Sequence, residues 1–550
     1  MHTRTRRQRR LGAVAGTALG AMLVTGCVAS ERGEDSGDAA GTFVFAASAE
    51  PVTLDPAFAN DGETFRVARQ IFEGLIGVEQ GSADPAPLLA ESWEGSDDGL
   101  SYTFDLKEGV TFHDGTEFNA EAVCYNFDRW HNFEGIAQSP SASYYYNNLF
   151  KGFAGDEGAV YESCEAPSEN EAIVHLTQPW AGFIAALSLP SFSMQSPTAL
   201  QEYGADDIGG TEEAPSISEY GSEHPTGTGP FTFSSWDAGS QVELTAYDDY
   251  WGEQGDVTDV IFRVIDDPNA RRQALEAGTI DGYDLVSPAD TAALEEDGFQ
   301  ILARDPFTIL YLGINQAVPE LQDVRVRQAI SMAIDKEQLV NQTLPEGTEL
   351  ATQFIPPVVS GYNEDVTTYD YDVDAAKALL AEAGIPEGWE LTFNYPTNVS
   401  RPYMPNPEEI FTVLSTQLSE IGITVVPQAN EWGEYLDIMQ GSSDHGIHLL
   451  GWTGDYNDTD NFVGVFFGQP SMEFGFDNPE LFNALTEARG TATIEEQLPL
   501  YEDINQMIAE YIPAVPLAHP APSLAFSERV GSYPVSPVND EVYNLVELND

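Results

Sequence analysis

Apolar residues recur along this chain at two spacings, and the switch between them marks out the elements. Alternation at every second position reads as a half-buried strand, and recurrence at three and four positions reads as a helix. Thr42-Phe43-Val44-Phe45-Ala46 is an expected strand, and Thr64–Leu75 an expected helix with Phe65, Ala68, Ile71 and Phe72 on one face. Tyr102, Phe104 and Leu106 alternate, and Asn119 is placed to cap a helix running to Trp130. Residues 131–172, rich in Gly and Ser, read as irregular, before a strand at Ala172–Leu176. Strands follow from Phe231, at Gln241–Ala246 and at Val260–Ile265. Asp267 then caps a helix with Pro268 at its first position and Gly278 after its end.

The second half repeats the alternation. Phe307–Ile314 is an apolar strand, taken as the crossing into a second lobe. Asp323 is expected to cap one helix, Val324–Val340, with Val326, Ile330, Ala333 and Ile334 as its buried stripe. Asp374 is expected to cap another that ends at Gly384, with Pro386 beyond. A helix at Pro407–Ile421, a strand at Ile423–Val426, a short buried strand at Ile447–Leu450 and a helix at Leu498–Tyr511 follow. Ala514–Ala518 reads as a strand returning to the first lobe. Strands alternating with helices in both halves make the fold class α/β.

Charge narrows the function. The 550 residues carry 22 Lys and Arg against 90 Asp and Glu, a net charge of −68. Such a surface repels nucleic acid and anionic membranes. The cations are concentrated at the start, where Arg4, Arg6, Arg7, Arg9 and Arg10 precede the apolar run Leu11–Val24. That run is too short to span a bilayer comfortably, so residues 1–26 read as a targeting segment. Its end, Leu23-Val24-Thr25-Gly26-Cys27, resembles a bacterial lipobox, in which Cys27 takes lipid and becomes the mature N-terminus; the alternative is an uncleaved anchor with an incidental Cys. Cleavage would remove five positive charges and no acids, taking −68 to −73. Residues 27–41 then form a polar tether. The expected location is extracytoplasmic, on the outer face of the cell membrane. Cys124 and Cys164 are left as a pair, and an exported pair is more often bridged than free.

The stretch with the most chemistry is Gly451-Trp-Thr-Gly-Asp-Tyr-Asn-Asp-Thr-Asp-Asn-Phe462. It follows an expected buried strand, and a carboxylate at a strand's C-terminal end often faces a ligand crevice. Asp455 is the candidate, suited to hold an ammonium group by charge-assisted hydrogen bonds. Its candidate partner is Arg401, with no other Lys or Arg between Lys377 and Arg489. A lone guanidinium in an acidic segment suits fork-like recognition of a carboxylate, and two opposite charges suit a short zwitterion. The alternative is that both residues sit in ordinary ion pairs. Asp455, Asn457, Asp458 and Asp460 lack the glycine and terminal acid of an EF-hand loop. His445 and His448 have a spacing that ligates metal on a helix, but the pattern there is strand. No metal, cofactor or catalytic residue is assigned, and no nucleophile-elbow or zincin motif occurs.

These segments carry a resemblance. Trp452-Thr453-Gly454-Asp455 with its Asp-rich loop, Arg401-Pro402-Tyr403-Met404-Pro405-Asn406 and Glu431-Trp432-Gly433-Glu434-Tyr435-Leu436 resemble the family 5 extracellular solute-binding proteins of ABC importers, most closely the members that take dipeptides. The run from Leu88-Leu89-Ala90-Glu91-Ser92-Trp93 to His113-Asp114-Gly115, and Gly227-Thr228-Gly229-Pro230-Phe231, are similar to further motifs of that family, and the likeness spans nearly all of 42–550. It implies a two-lobed periplasmic-binding-protein-like fold closing as a hinge over a cleft. The first lobe's core would comprise residues 42–58, 173–309 and 518–550, with an extra domain at 59–172; residues 310–517 would form the second lobe. Asp455 would hold a peptide's α-ammonium and Arg401 its α-carboxylate, with Tyr403, Trp432, Trp452, Thr453 and Gly454 beside them. The partners implied are a short peptide and an ABC permease with its ATPase, served by a monomer that is not an enzyme and carries no cofactor. Alternatives are another solute (glutathione, haem, an opine or a metal chelate), a surface hydrolase or a signalling receptor. The loop Tyr456-Asn457-Asp458-Thr459 departs from the family, which has a Gly and a Pro nearby.

Overall fold

Thr42–Ala47 lies at the centre of a seven-stranded sheet in the computed structural model, which describes residues 41–212 and 214–549. The expected leader, Cys27 and the tether up to Ala40 lie outside the described residues. The central strand pairs in parallel with Asp259–Val264 on one side and Gly282–Asp284 on the other. Phe43 and Phe45 are fully buried on it, and Phe43 meets Tyr543 edge-on at 5.1 Å. Gln241–Ala246 and Phe231–Asp237 extend one edge, and Ser523–Phe526 and Gln300–Ala303 the other.

A second, six-stranded sheet is built on Thr308–Ile314, whose seven residues are all buried. A continuous apolar run of this kind fits a strand covered on both faces. It pairs antiparallel with Ile447–Thr453, which is longer than the expected Ile447–Leu450 because Trp452 and Thr453 stay in register with Ile309 and Thr308. A Cβ on Gly313 would lie 2.0 Å from His448 Cε1, so the buried imidazole occupies the space the glycine leaves. Its other neighbour, Ala514–His519, corrects an expectation: that strand belongs to this second sheet. The return to the first sheet comes later, after Pro520 and Pro522, at Ser523–Phe526. Proline cannot donate to a ladder, so the chain leaves one sheet there before entering the other.

A four-stranded antiparallel sheet, Ala90–Gly95, Ser101–Leu106, Glu171–Leu176 and Tyr161–Ser168, packs against the helix Ala120–His131. Asn119 caps that helix, as expected, by accepting from Ala122 N–H at 3.0 Å. The disulfide Cys124–Cys164 joins the helix to the sheet, with a Cα–Cα distance of 5.1 Å. Residues 131–172 are more regular than their composition implies, with a helix at Tyr144–Phe150 and the strand Tyr161–Ser168. Aromatic packing supplies the order: Tyr146 stacks on Phe150 at 4.7 Å and on Phe153 at 5.3 Å.

Two helix expectations fail on capping. The segment from Val324 is two helices, Val324–Met332 and Lys336–Thr343. Asp335 breaks it by accepting from Gln338 N–H at 2.9 Å, while Ala333 and Ile334 remain buried at the junction. A short acidic side chain bonds its own downstream backbone as readily as it continues a helix. Likewise Asp372, not Asp374, caps Val373–Glu382 by accepting from Ala375 N–H at 2.9 Å. The Asp267 cap and Pro268 start hold for Pro268–Glu276.

Candidate functional site

The turn after Ile447–Thr453 is shaped by what glycine allows. A Cβ on Gly454 would lie 2.3 Å from Phe307 Cε1 and 2.4 Å from Phe462 Cζ, so only glycine lets the backbone pass between the two rings. Gly454 N–H also donates to Phe307 O at 2.9 Å. The chain then presents Asp455 and enters a helix, Thr459–Phe467, capped by Asp458 through Asp460 N–H at 2.7 Å. Turn-forming residues hide this helix in the sequence, because Asp458 and Asp460 serve its cap and first turn.

Asp455 is held from two sides. Asn461 Nδ2 donates to Oδ2 at 3.0 Å, and Asp455 N–H donates to Asn461 Oδ1 at 2.8 Å. Trp452 Nε1 donates to the same Asn461 oxygen at 3.3 Å, so Trp452 orients the amide that orients the carboxylate. Tyr145, from the helix Tyr144–Phe150 beside the four-stranded sheet, donates to Asp455 Oδ1 at 2.8 Å. Burial pushes the Asp455 carboxyl up to about 6, against the pull of Asn461, Tyr145 and the charge of Arg69. Two donors leave lone pairs on a carboxylate that accepts about four hydrogen bonds. An ammonium group fits that unfilled capacity.

Arg401 opens a tight turn closed by two hydrogen bonds with Met404, at 3.1 and 2.9 Å. Its guanidinium lies over the Trp432 ring, 4.4 Å from the centroid, in a cation–π arrangement. Among the described residues Arg401 makes no ion pair and its guanidinium donates no hydrogen bond, and the half-buried group has Nε shielded from water. The ordinary ion pair weighed as the alternative is therefore absent at Arg401 among the described residues. By contrast, Arg66, Arg129, Arg304 and Arg489 all face carboxylates. A fork of donors without an acceptor has the capacity to take a carboxylate.

The turn that carries Arg401 packs against the strand that leads to Asp455. Tyr403, two residues after Arg401, is buried with its ring on Gly451, where a Cβ would lie 2.3 Å from Tyr403 Cδ2. Asp455 lies four residues beyond Gly451. Burial pushes the Tyr403 hydroxyl up to about 12, with Arg401 opposing. Trp432 begins the helix Trp432–Gly441, and Tyr435 fixes that helix to the strand by donating to Leu449 O at 2.6 Å. Thr453 stays in the strand, paired with Thr308. Tyr403, Trp432 and Trp452 thus surround or orient the charged groups. Tyr145 and Asn461 were not singled out beforehand: Tyr145 sits 310 positions from its partner, and nothing local signals that contact.

Two cavities of about 390 Å³ each lie elsewhere, one beside Lys336 and Tyr371 in the second lobe, the other around Lys151 and Arg489. Neither is lined by Asp455 or Arg401, so the site rests on its charged groups and their surroundings rather than on cavity size.

Residues 84–474 match the family model described as bacterial extracellular solute-binding proteins, family 5 Middle. Heme-binding protein A of Haemophilus influenzae is 30% identical over 525 residues, covering 92% of each chain. The dipeptide-binding protein of Escherichia coli is 29% identical over 522 residues, covering 92% of this chain and 94% of its own. Among solved structures, the ABC transporter-associated periplasmic binding protein DppA from Helicobacter pylori, in complex with peptide STSA, aligns with a TM-score of 0.76 and 27% identity over 93% of this chain and 98% of its own. Matched over most of its length by both the family model and these relatives, the chain belongs to the family 5 bacterial extracellular solute-binding proteins.

Proposed function

We propose that this protein captures dipeptides or short peptides outside the cytoplasm and delivers them to an ABC importer, gripping the two peptide termini. Asp455 takes the α-ammonium and Arg401 the α-carboxylate; Tyr403, Trp432, Trp452, Thr453 and Gly454 shape or support the cleft. The observation that carries this reading is Arg401, a guanidinium with no acceptor among the described residues, in a turn packed through Tyr403 on the strand that leads to the half-buried Asp455 carboxyl. The dipeptide-binding relative and the peptide-bound structural neighbour support the same solute class. In this reading the chain binds and releases its solute without reaction. It works as a monomer of two lobes with an extra domain at 59–172, tethered by lipid on Cys27.

The relative named for haem supplies a second reading at comparable identity. The two are separated by titrating the purified protein with Ala-Ala and with haem. Saturable binding of Ala-Ala, weakened by Arg401→Ala and by Asp455→Asn, supports the peptide reading. Haem binding that neither substitution alters, with no response to Ala-Ala, overturns it.

A further inference from the structure

The cavity around Lys151 and Arg489 is walled by two separate parts of the fold. Asn148, Lys151, Gln178 and Trp180 contribute from the side of the four-stranded sheet, and Asp460, Thr486 and Arg489 from the second lobe. Its volume of about 390 Å³ exceeds the roughly 30 Å³ share of a single water many times over. Two of the 22 cations in a chain of net charge −68 meet here across one gap.

Their donors are largely uncommitted. Lys151, largely exposed as a residue, makes no hydrogen bond or ion pair among the described residues; desolvation of its amine and the charge of Arg489 push it down to about 8, with Asp460 opposing. Arg489 uses Nε and Nη2 on Asp460, at 2.7 and 3.0 Å, and makes no hydrogen bond from Nη1 among the described residues. Asp460, an anion on the same wall, is engaged by three donors, since Tyr501 also donates to it at 3.1 Å. The amides of Asn148 and Gln178 add further donors to the wall, and Leu149, Pro179 and Trp180 give it an apolar side. Lys151 terminates the helix Tyr144–Phe150 with left-handed backbone, φ 61° and ψ 9°, a position that ordinarily favours glycine or asparagine.

We propose that this cavity binds a small oxyanion, a carboxylate or a phosphate-like group, held by Lys151 and Arg489 between the extra domain and the second lobe. An occupant touches the helix that carries Tyr145 and the segment that follows Asp455. It therefore adds to the contacts that already join these parts, Tyr145 to Asp455 and Asn457 Nδ2 to Asp84 Oδ1 at 2.7 Å. Any ligand that prefers this joined arrangement shifts the population toward it.

The test uses selenate and acetate, each titrated calorimetrically into the purified protein at constant ionic strength, together with selenium anomalous diffraction from selenate-soaked crystals. The expected result is saturable binding of at least one anion, with selenate alone indicating phosphate-like and acetate alone carboxylate specificity. A selenium peak between Lys151 and Arg489 accompanies selenate binding. Lys151→Asn, which suits the left-handed backbone, weakens binding at least tenfold, and Gln178→Glu, which places a carboxylate at the exposed rim, abolishes it. If one variant fails to fold by circular dichroism, the other decides. No saturable binding of either anion, a selenium peak elsewhere, or unchanged affinity in a folded variant overturns the proposal. None of these readouts depends on which solute occupies the Asp455 site.

Discussion

Tyr145 donates its phenolic hydrogen to Asp455 Oδ1 at 2.8 Å, joining a helix beside the four-stranded sheet to the end of a strand in the second lobe. The contact places the Asp455 carboxyl at the meeting point of parts that a hinge would separate. Separating them removes a hydrogen-bond donor from Asp455 and admits water to it. Under the proposed function, the affinity of Asp455 for an ammonium group and the closure of the lobes would be linked through this one contact.

Solute affinity should depend on pH through Asp455. With its carboxyl raised to about 6 in the unliganded protein, Asp455 must lose a proton before it can pair with an ammonium group. Dissociation constants for Ala-Ala measured from pH 5 to 8 should be lowest near 7, rise toward tenfold per unit below about 6, and rise about two- to threefold toward pH 8 as the peptide α-ammonium, with an ordinary value of about 7.7–8.0, loses its proton. The peptide carboxylate, with an ordinary value near 3.5, stays charged throughout. The sign for stability is opposite. The folded chain keeps this proton to about 6 and the unfolded chain only to about 4. The contribution of Asp455 to stability is thus fully present below 4 and lost as pH rises through 6. A binding profile flat from pH 5 to 8 would contradict the assignment.

Tyr145→Phe should move the midpoint of that profile upward. The hydroxyl stabilises the ionised form of Asp455, so its removal leaves burial less opposed. A hydrogen bond to a charged group contributes about 1.5–3 kcal/mol, and some tenfold loss of Ala-Ala affinity near pH 6.5 is expected. A midpoint that stays in place would show that the Tyr145 contact is incidental.

Gly451→Ala should weaken binding without either charged residue being touched. The new methyl would meet Tyr403 Cδ2 at 2.3 Å and the backbone oxygen of Ile309 at 2.4 Å. The backbone cannot yield cheaply, so the turn carrying Arg401 is displaced. A loss of at least tenfold in affinity is expected, with a lower melting temperature. Gly433→Ala is the control: nothing lies within 4 Å of its added methyl. In the exposed first turn of Trp432–Gly441 it should leave affinity unchanged and raise stability by up to about 1 kcal/mol.

Replacing Cys124 and Cys164 together by Ser should cost about 3–4 kcal/mol in denaturant unfolding, the entropy of releasing a loop closed over 40 positions. The bridge fastens the helix Ala120–His131 to Tyr161–Ser168 and touches neither Asp455 nor Arg401. Ala-Ala affinity under native conditions should therefore stay within twofold of the parent. A large loss of affinity would place the four-stranded sheet in the site more directly than Tyr145 alone does.

The elements with strong periodicity or strong caps were legible in the chain. The fully buried Thr308–Ile314, the Asn119 cap and the Asp267-Pro268 start each follow from local chemistry. Legibility fails where the deciding partner is distant. Ala514–His519 reads equally well as a member of either sheet, and only its pairing with Thr308–Ile314 settles the matter. The Asp335 break depends on a choice between two acceptable uses of one carboxylate. At the site, Asp455 and Arg401 stand out as charges in unusual settings. Asn461 and Tyr145 do not, because polar side chains of those types occur throughout the chain and what distinguishes these two is where the fold places them.

The two-ended grip is tested most directly by calorimetric titration of the protein with a free dipeptide, its N-acetyl form and its C-terminal amide. Each blocked form leaves one half-buried charge without its partner, and truncating one side of such a pair costs about 2–5 kcal/mol. The expected result is saturable binding of the free dipeptide, with both blocked forms weaker by at least thirtyfold. Binding of the amide as tight as that of the free dipeptide would show that Arg401 does not hold the carboxylate. Equal binding of the N-acetyl form would remove Asp455 from the same role, and either result would contradict the grip.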